Sequence, residues 1–182
     1  MFRLLAALLL LLLPTSSFAL ERIVVLAPAA ADIIEKLDAA ELVVGKTRNV
    51  MEFPQAKQVG SHIRPNLEII TSLNPDLLVI SSNKFFSAEM ATKIKAELFH
   101  YNPNSLSEIL EQTRQLADLI DRKEQAEKLI ATQSQKLKQL QPLPNRPKVI
   151  YEITEVPLTI AGRGNILADI IETAGGGFVS GG

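Results

Sequence analysis

Between Arg48 and Phe85 the sequence sets one histidine, His62, together with Arg48, Arg64 and Lys84, with Phe85 directly after the last. A neutral imidazole ligates a metal or donates a hydrogen bond. Guanidinium and ammonium groups facing one cleft suit an anionic ligand, the first as a planar fork and the second as a point charge. Phe85-Phe86 supplies an apolar wall, with at least one of the two rings in the core. Taken singly, each cation reads as solvated surface and His62 as an exposed loop residue; a shared position is what raises them. Glu68 is different in kind. With Asn66 as cap it falls in the first turn of a helix, where a carboxylate complements the helix dipole.

The elements around these residues supply that shared position. Arg22–Leu26 reads as a buried strand, broken by Pro28 and followed by a helix over Ala29–Leu37 with Ile33, Ile34 and Leu37 at helical spacing. Leu42-Val43-Val44 is a second strand closed by Gly45, and Lys46–Lys57 a loop. Val59-Gly60-Ser61 leads through a polar loop into a helix from Leu67, stopped by Pro75, then into strand Leu77–Ile80. A helix over Ser87–Leu98, with Met90, Ile94 and Leu98 on one face, precedes strand Leu98–Tyr101. Strands alternating with helices predict a parallel α/β sheet, and ligands of such sheets sit at the carboxyl ends of the strands. By that rule Pro28–Ala30, Thr47–Asn49, His62–Arg64 and Ser81–Phe85 lie on one rim. Tyr101, ending the last strand, reads as packed under the helices that follow.

Beyond Tyr101 the pattern changes. Ser105-Leu106-Ser107-Glu108 is a capping box opening a helix with Leu106, Ile109, Leu110, Leu116 and Leu119 inward. Asp121-Arg122-Lys123-Glu124 repeats the device with an aspartate cap, so two helices are expected with a bend near Asp121; a continuous helix is the alternative. The second helix, through about Leu140, carries a narrow stripe of Ala126, Leu129, Ile130 and Leu137. At about 1.5 Å per residue it spans roughly 27 Å and reads as a strut between lobes. Pro142, Pro144 and Pro147 end it. Lys148–Ile153 then reads as a strand, Leu158–Ile160 as a further one, and Asn165–Thr173 as a helix ended by Gly175-Gly176-Gly177. The expected fold is α/β: an N-terminal lobe with a parallel sheet flanked by helices, a long helical strut, and an incomplete second α/β lobe. The boundaries are 1–19 for a signal peptide, 20–104 for the N-terminal lobe, 105–141 for the helical connector and 142–182 for the partial C-terminal lobe.

Met1–Ala19 reads as an export signal: a basic start, the apolar run Leu4–Leu13, and Ser17 and Ala19 in the small-x-small pattern for cleavage after Ala19. Its apolar run is about half of what a membrane span needs; a retained anchor is the alternative reading. The expected location is the periplasm. The chain has no cysteine, so neither lipid attachment at a cysteine nor a disulfide is available. A formal net charge of −1 without a basic stretch argues against nucleic acid as partner. Two histidines in the whole chain supply too few ligands for a bare-metal site. Gly162-Arg163-Gly164 lacks the third glycine of a dinucleotide loop, since Leu167 stands there. Ser61 and His62 are adjacent in sequence and form no triad. No catalytic constellation emerges, and the expectation is a non-enzyme with no cofactor and no resident metal.

Export signal, α/β lobe, helical strut and second lobe together resemble the periplasmic substrate-binding proteins of ABC importers, in the helical-backbone class that carries cobalamin, ferric siderophores and haem. The match rests on Val59-Gly60-Ser61, Pro65-Asn66-Leu67-Glu68, the Leu73–Ile80 stretch, Ala161-Gly162 and the Ile170–Gly176 segment. The resemblance implies a solute receptor that delivers an iron chelate or cobalamin to an inner-membrane permease. It places His62 in the ligand-facing loop, where an imidazole ligates haem iron or donates to a chelate oxygen. It gives Arg48, Arg64 and Lys84 haem propionates or a siderophore to meet, Phe85 a wall of the cleft, and Glu68 an arginine of the permease. Family members run longer, so the resemblance also implies a C-terminally truncated chain whose second docking glutamate would lie beyond Gly182. A truncated interaction module without transport, or an exported protein without catalytic activity, is the competing reading.

Overall fold

Inward-pointing residues alternate strictly between two faces of one central sheet, and each face has its own helices. The computed structural model describes residues 20–141 and 143–180. The expected signal Met1–Ala19, Pro142 and Gly182 lie outside the described residues. The sheet is built from β1 (Ile23–Val25), β2 (Val43–Lys46), β3 (Lys57–Gln58), β6 (Leu77–Ile80) and β7 (Glu97–His100), in the order β3-β2-β1-β6-β7, all parallel. β1 and β6 are apolar and buried at every position, as strands covered on both faces must be. The edge strand β3 is Lys57-Gln58 and is exposed, which blunts that edge.

Ile23, Val25, Leu77, Val79 and Phe99 point to one face, where they meet α1 (Ala31–Lys36), α4 (Leu106–Leu119) and α5 (Lys123–Lys138) through Ile34, Leu37, Leu116, Ile120, Ala126 and Ile130. Val24, Leu26, Leu78 and Ile80 point to the other, against α2 (Leu67–Ser72) and α3 (Ala88–Ile94) through Ile70, Ala91 and Ile94. The period of two in the strands therefore sorts the helices into layers.

Helix ends account for two departures from the sequence reading. The helix expected over Ser87–Leu98 spans only Ala88–Ile94, because Lys95 takes a left-handed conformation (φ 61°) and turns the chain into β7. Leu98 belongs to the strand, as the reading of Leu98–Tyr101 expects, and not to the helix. Asp121 does not cap α5. It is left-handed (φ 54°) and closes α4 instead, with the Arg122 amide donating to the Ala117 carbonyl at 2.8 Å, a Schellman arrangement. Aspartate tolerates this region better than most residues, and α5 starts at Lys123 with no side-chain cap. The bend near Asp121 is present. Exposed ion pairs Arg114–Glu127 and Asp118–Lys123 link α4 to α5.

The chain after α5 forms a smaller unit. β8 (Lys148–Val149) pairs in parallel with β11 (Gly177–Phe178), and α6 (Ile166–Thr173) connects them, repeating the β1–α1–β2 order. The strand expected over Lys148–Ile153 is interrupted at Ile150-Tyr151. Its second half is β9 (Glu152–Thr154), which forms an antiparallel hairpin with β10 (Thr159–Ile160). Ala161, Ala168 and Phe178 make a small core of their own.

Candidate functional site

The rim at the carboxyl ends of the strands is built mainly by backbone hydrogen bonds. Thr47 donates to Val25, Val59 to Lys46, and Arg48 to Gly60 at 2.9 Å, so the loop after β2 is fastened to the segment after β3. That segment turns back on itself as a hairpin of β4 (Gly60–Ser61) and β5 (Arg64–Pro65), with His62 and Ile63 at its tip. Gly60 makes the turn feasible. It sits at φ +98°, and a Cβ there would lie 2.6 Å from the Arg64 carbonyl oxygen. The Ser61 hydroxyl accepts from the Arg64 amide at 3.1 Å and closes the tip.

The tip carries His62 to the loop after β6. Its ring meets Phe85 edge to face, with centroids 6.4 Å apart and planes at 87°. The Lys84 ammonium lies 5.5 Å from the Phe85 ring centroid, within cation–π range. His62, Lys84 and Phe85 thus form one cluster from two loops far apart in sequence, as the strand-end rule anticipates. Phe86 is the core member of the aromatic pair, 2% exposed. Arg48 and Arg64 are both exposed and neither forms an ion pair among the described residues.

Two buried polar atoms at this rim have no hydrogen-bond partner among the described residues, His62 Nδ1 and Thr47 Oγ1. Buried polar atoms are rarely left in this state, and both lie in the loops at the carboxyl ends of the strands. Thr47 was not singled out from sequence, although it lies in the Thr47–Asn49 segment placed on the rim. Its only signal there is a polar residue immediately after a buried strand.

Tyr101 occupies a different place. Only 4% exposed, it lies at the floor of a groove of about 320 Å³ between α1, α4 and α5, beside Asp32, Ile33, Leu110 and Leu129. Burial, reinforced by the Asp32 carboxylate, pushes its phenol up to about 12. It packs under the helices, as its position in the sequence suggests. Glu68 stands on the opposite helical layer. Asn66 caps α2 by accepting from the Ile69 amide at 3.0 Å, Ile70 faces the core, and Glu68 is exposed without an ion pair among the described residues.

The sequence model of the periplasmic binding protein family matches residues 23–179. The chain belongs to that family. Membership places it outside the cytoplasm, among proteins that bind solutes. An ABC transporter substrate-binding protein from Listeria monocytogenes EGD-e is similar in fold, with a TM-score of 0.72, 24% identity, and coverage of 87% of this chain and 64% of that one. A periplasmic haem-binding protein of Vibrio cholerae matches with a TM-score of 0.74, 22% identity, and coverage of 85% and 64%. The periplasmic vitamin B12 binding protein of the same organism gives 0.69, 22%, and 87% and 66%. The chain therefore spans about two thirds of the length of these binding proteins. The α/β architecture with a parallel sheet flanked by helices is the one they share.

Proposed function

We propose that this chain is the solute-binding component of an ABC importer, capturing an iron chelate, either a siderophore or haem, or cobalamin, and delivering it to a permease in the inner membrane. The observation that carries the reading is the rim cluster. His62, with a buried and unpartnered ring nitrogen, stands against Phe85 and beside Lys84 at the carboxyl end of a parallel sheet. A large planar or cage-like ligand would lie on the Phe85 wall, and the His62 imidazole would ligate its iron or hydrogen-bond to a chelate oxygen. Arg48, Arg64 and Lys84 would hold its carboxylates. Residues 20–104 serve as the first lobe, 105–141 as the connector and 142–182 as part of a second lobe. Glu68, exposed on α2, meets a permease arginine. The chemistry is binding without catalysis.

The test is titration of the protein with haemin, a ferric hydroxamate and cyanocobalamin, followed by absorbance and thermal shift. Micromolar binding of one of the three, lost in His62→Ala, supports the receptor reading. Failure of all three to bind or stabilise the protein favours an interaction module without a transported ligand.

A further inference from the structure

We infer that the groove between α2 and α3 receives the permease directly. It takes one apolar side chain of a permease loop that carries a basic residue on its Glu68 side and an acidic residue on its Lys93 side. The inference rests on the reading that this chain docks on a permease, and it extends that contact from one carboxylate to a shaped surface.

The groove has a volume of about 440 Å³. Leu67, Met90 and Ile94 give it an apolar floor, and Thr71 and Ser72 line the α2 side. Those two hydroxyls are engaged within their own helix: Thr71 donates to the Leu67 carbonyl at 2.7 Å and Ser72 to the Ile69 carbonyl at 2.8 Å. The groove is therefore more apolar than its composition implies, since satisfied hydroxyls offer an incoming group little beyond their carbon atoms. An apolar cleft with charged edges is the anatomy of a protein interface.

The charges give the partner its polarity. Glu68 stands on the α2 wall and Lys93 on the α3 wall of the same groove, yet they form no ion pair with one another or with any other described residue. One edge is negative and the other positive, so a complementary segment must present the reverse order. Both walls are fixed from behind. Ile70, Ala91 and Ile94 anchor the two helices in the core beneath, and the Asn66 and Ser87 side chains cap their first turns. A groove held this firmly needs little ordering on association. The ligand cluster stands elsewhere, at the strand ends with His62 and Phe85.

The experiment titrates the chain against its cognate permease complex in nanodiscs. Parent protein is compared with Thr71→Trp, which fills the groove, Met90→Glu, which charges its floor, Lys93→Glu and Glu68→Ala. Melting temperatures are recorded for each. Weakening by about tenfold or more in Thr71→Trp or Met90→Glu, in whichever variant melts like the parent, and a smaller loss in Lys93→Glu, support the groove. Parent-like affinity in both filling variants, with Glu68→Ala weakened, overturns the groove and leaves permease docking intact. Parent-like affinity in Glu68→Ala as well, or no binding by the parent, overturns the docking reading and the groove with it. A parent dimer in sedimentation that Thr71→Trp disperses assigns the groove to a second copy and also overturns the proposal.

Discussion

The Asp169 carboxylate accepts a hydrogen bond from the Leu106 amide at 2.6 Å, so a helix of the small C-terminal unit caps the first turn of α4. Sixty-three positions separate the two residues. Ser105 and Glu108 take neighbouring amides at the same helix start, Ser105 from Glu108 and Glu108 from Asn104. Three side chains thus satisfy three amides, one of them from outside the local segment. Replacing Asp169 with alanine leaves the Leu106 amide with water alone. The expected cost is about 1 kcal/mol, read as faster hydrogen exchange at Leu106 and across α6, with β1 and β6 unchanged.

Gly60→Ala introduces a Cβ at φ +98° and 2.6 Å from a backbone oxygen. Strain of this kind costs about 1–3 kcal/mol. Urea unfolding should show a matching loss. Because Gly60 also accepts from Arg48, the amide of Arg48 should lose exchange protection alongside it.

Tyr101 predicts an alkaline instability. Its phenol is held neutral up to about 12 in the folded protein, whereas the unfolded chain releases that proton near 10. The folded pKa is the higher one, so the stabilisation is complete below pH 10 and declines as pH rises from 10 to 12. For a group this well buried the linkage amounts to about 2–3 kcal/mol. Tyr101→Phe should remove that part of the alkaline slope. The difference between the two proteins' unfolding free energies across this window is the measurement.

Electrostatic capture of an anionic ligand should depend on salt. Arg48, Arg64 and Lys84 are exposed and lack ion pairs among the described residues, so their attraction is screened over about 10 Å at 0.1 M salt. Affinity for haemin should fall between low and high salt, and Arg48→Ala with Arg64→Ala should flatten that dependence. On the proposed ligation of haem iron by His62, the absorbance change on haemin binding should persist in that double variant.

Arg122 ties two helix ends together. Its guanidinium donates to the Asp38 carbonyl at 3.2 Å and to Glu41 at 2.7 Å, and its side chain is 23% exposed. Both Asp38 and Asp121 are left-handed residues closing helices. Arg122→Lys preserves charge but not the fork, and should cost about 1 kcal/mol in thermal or urea unfolding.

Much of this arrangement was legible from the chain itself. Ile23–Val25 and Leu77–Ile80 are apolar runs of strand length, so their burial and parallel pairing follow from composition and spacing. The rim follows too, because it needs only the strand ends and the loops after them. That reasoning brought His62 and Phe85 to the same edge, although no local signal joins residues that far apart. What stayed hidden depends on single dihedral angles. Lys95 and Asp121 adopt left-handed conformations that a sequence read for caps and periods does not reveal, and each moved a helix boundary. The pairing of β8 with Gly177-Phe178 was equally invisible, since two residues with two glycines before them carry no strand pattern. Thr47 escaped notice because its distinguishing property, a buried hydroxyl without a partner, exists only once the fold has enclosed it.

The Arg48–Gly60 bond joins two rim loops through main-chain atoms alone. That bond needs no particular side chain at 48, 62 or 64. Exchanging those side chains would change the chemistry of the rim while leaving that bond in place. A frame of this sort tolerates point substitution at its exposed positions with little risk to folding.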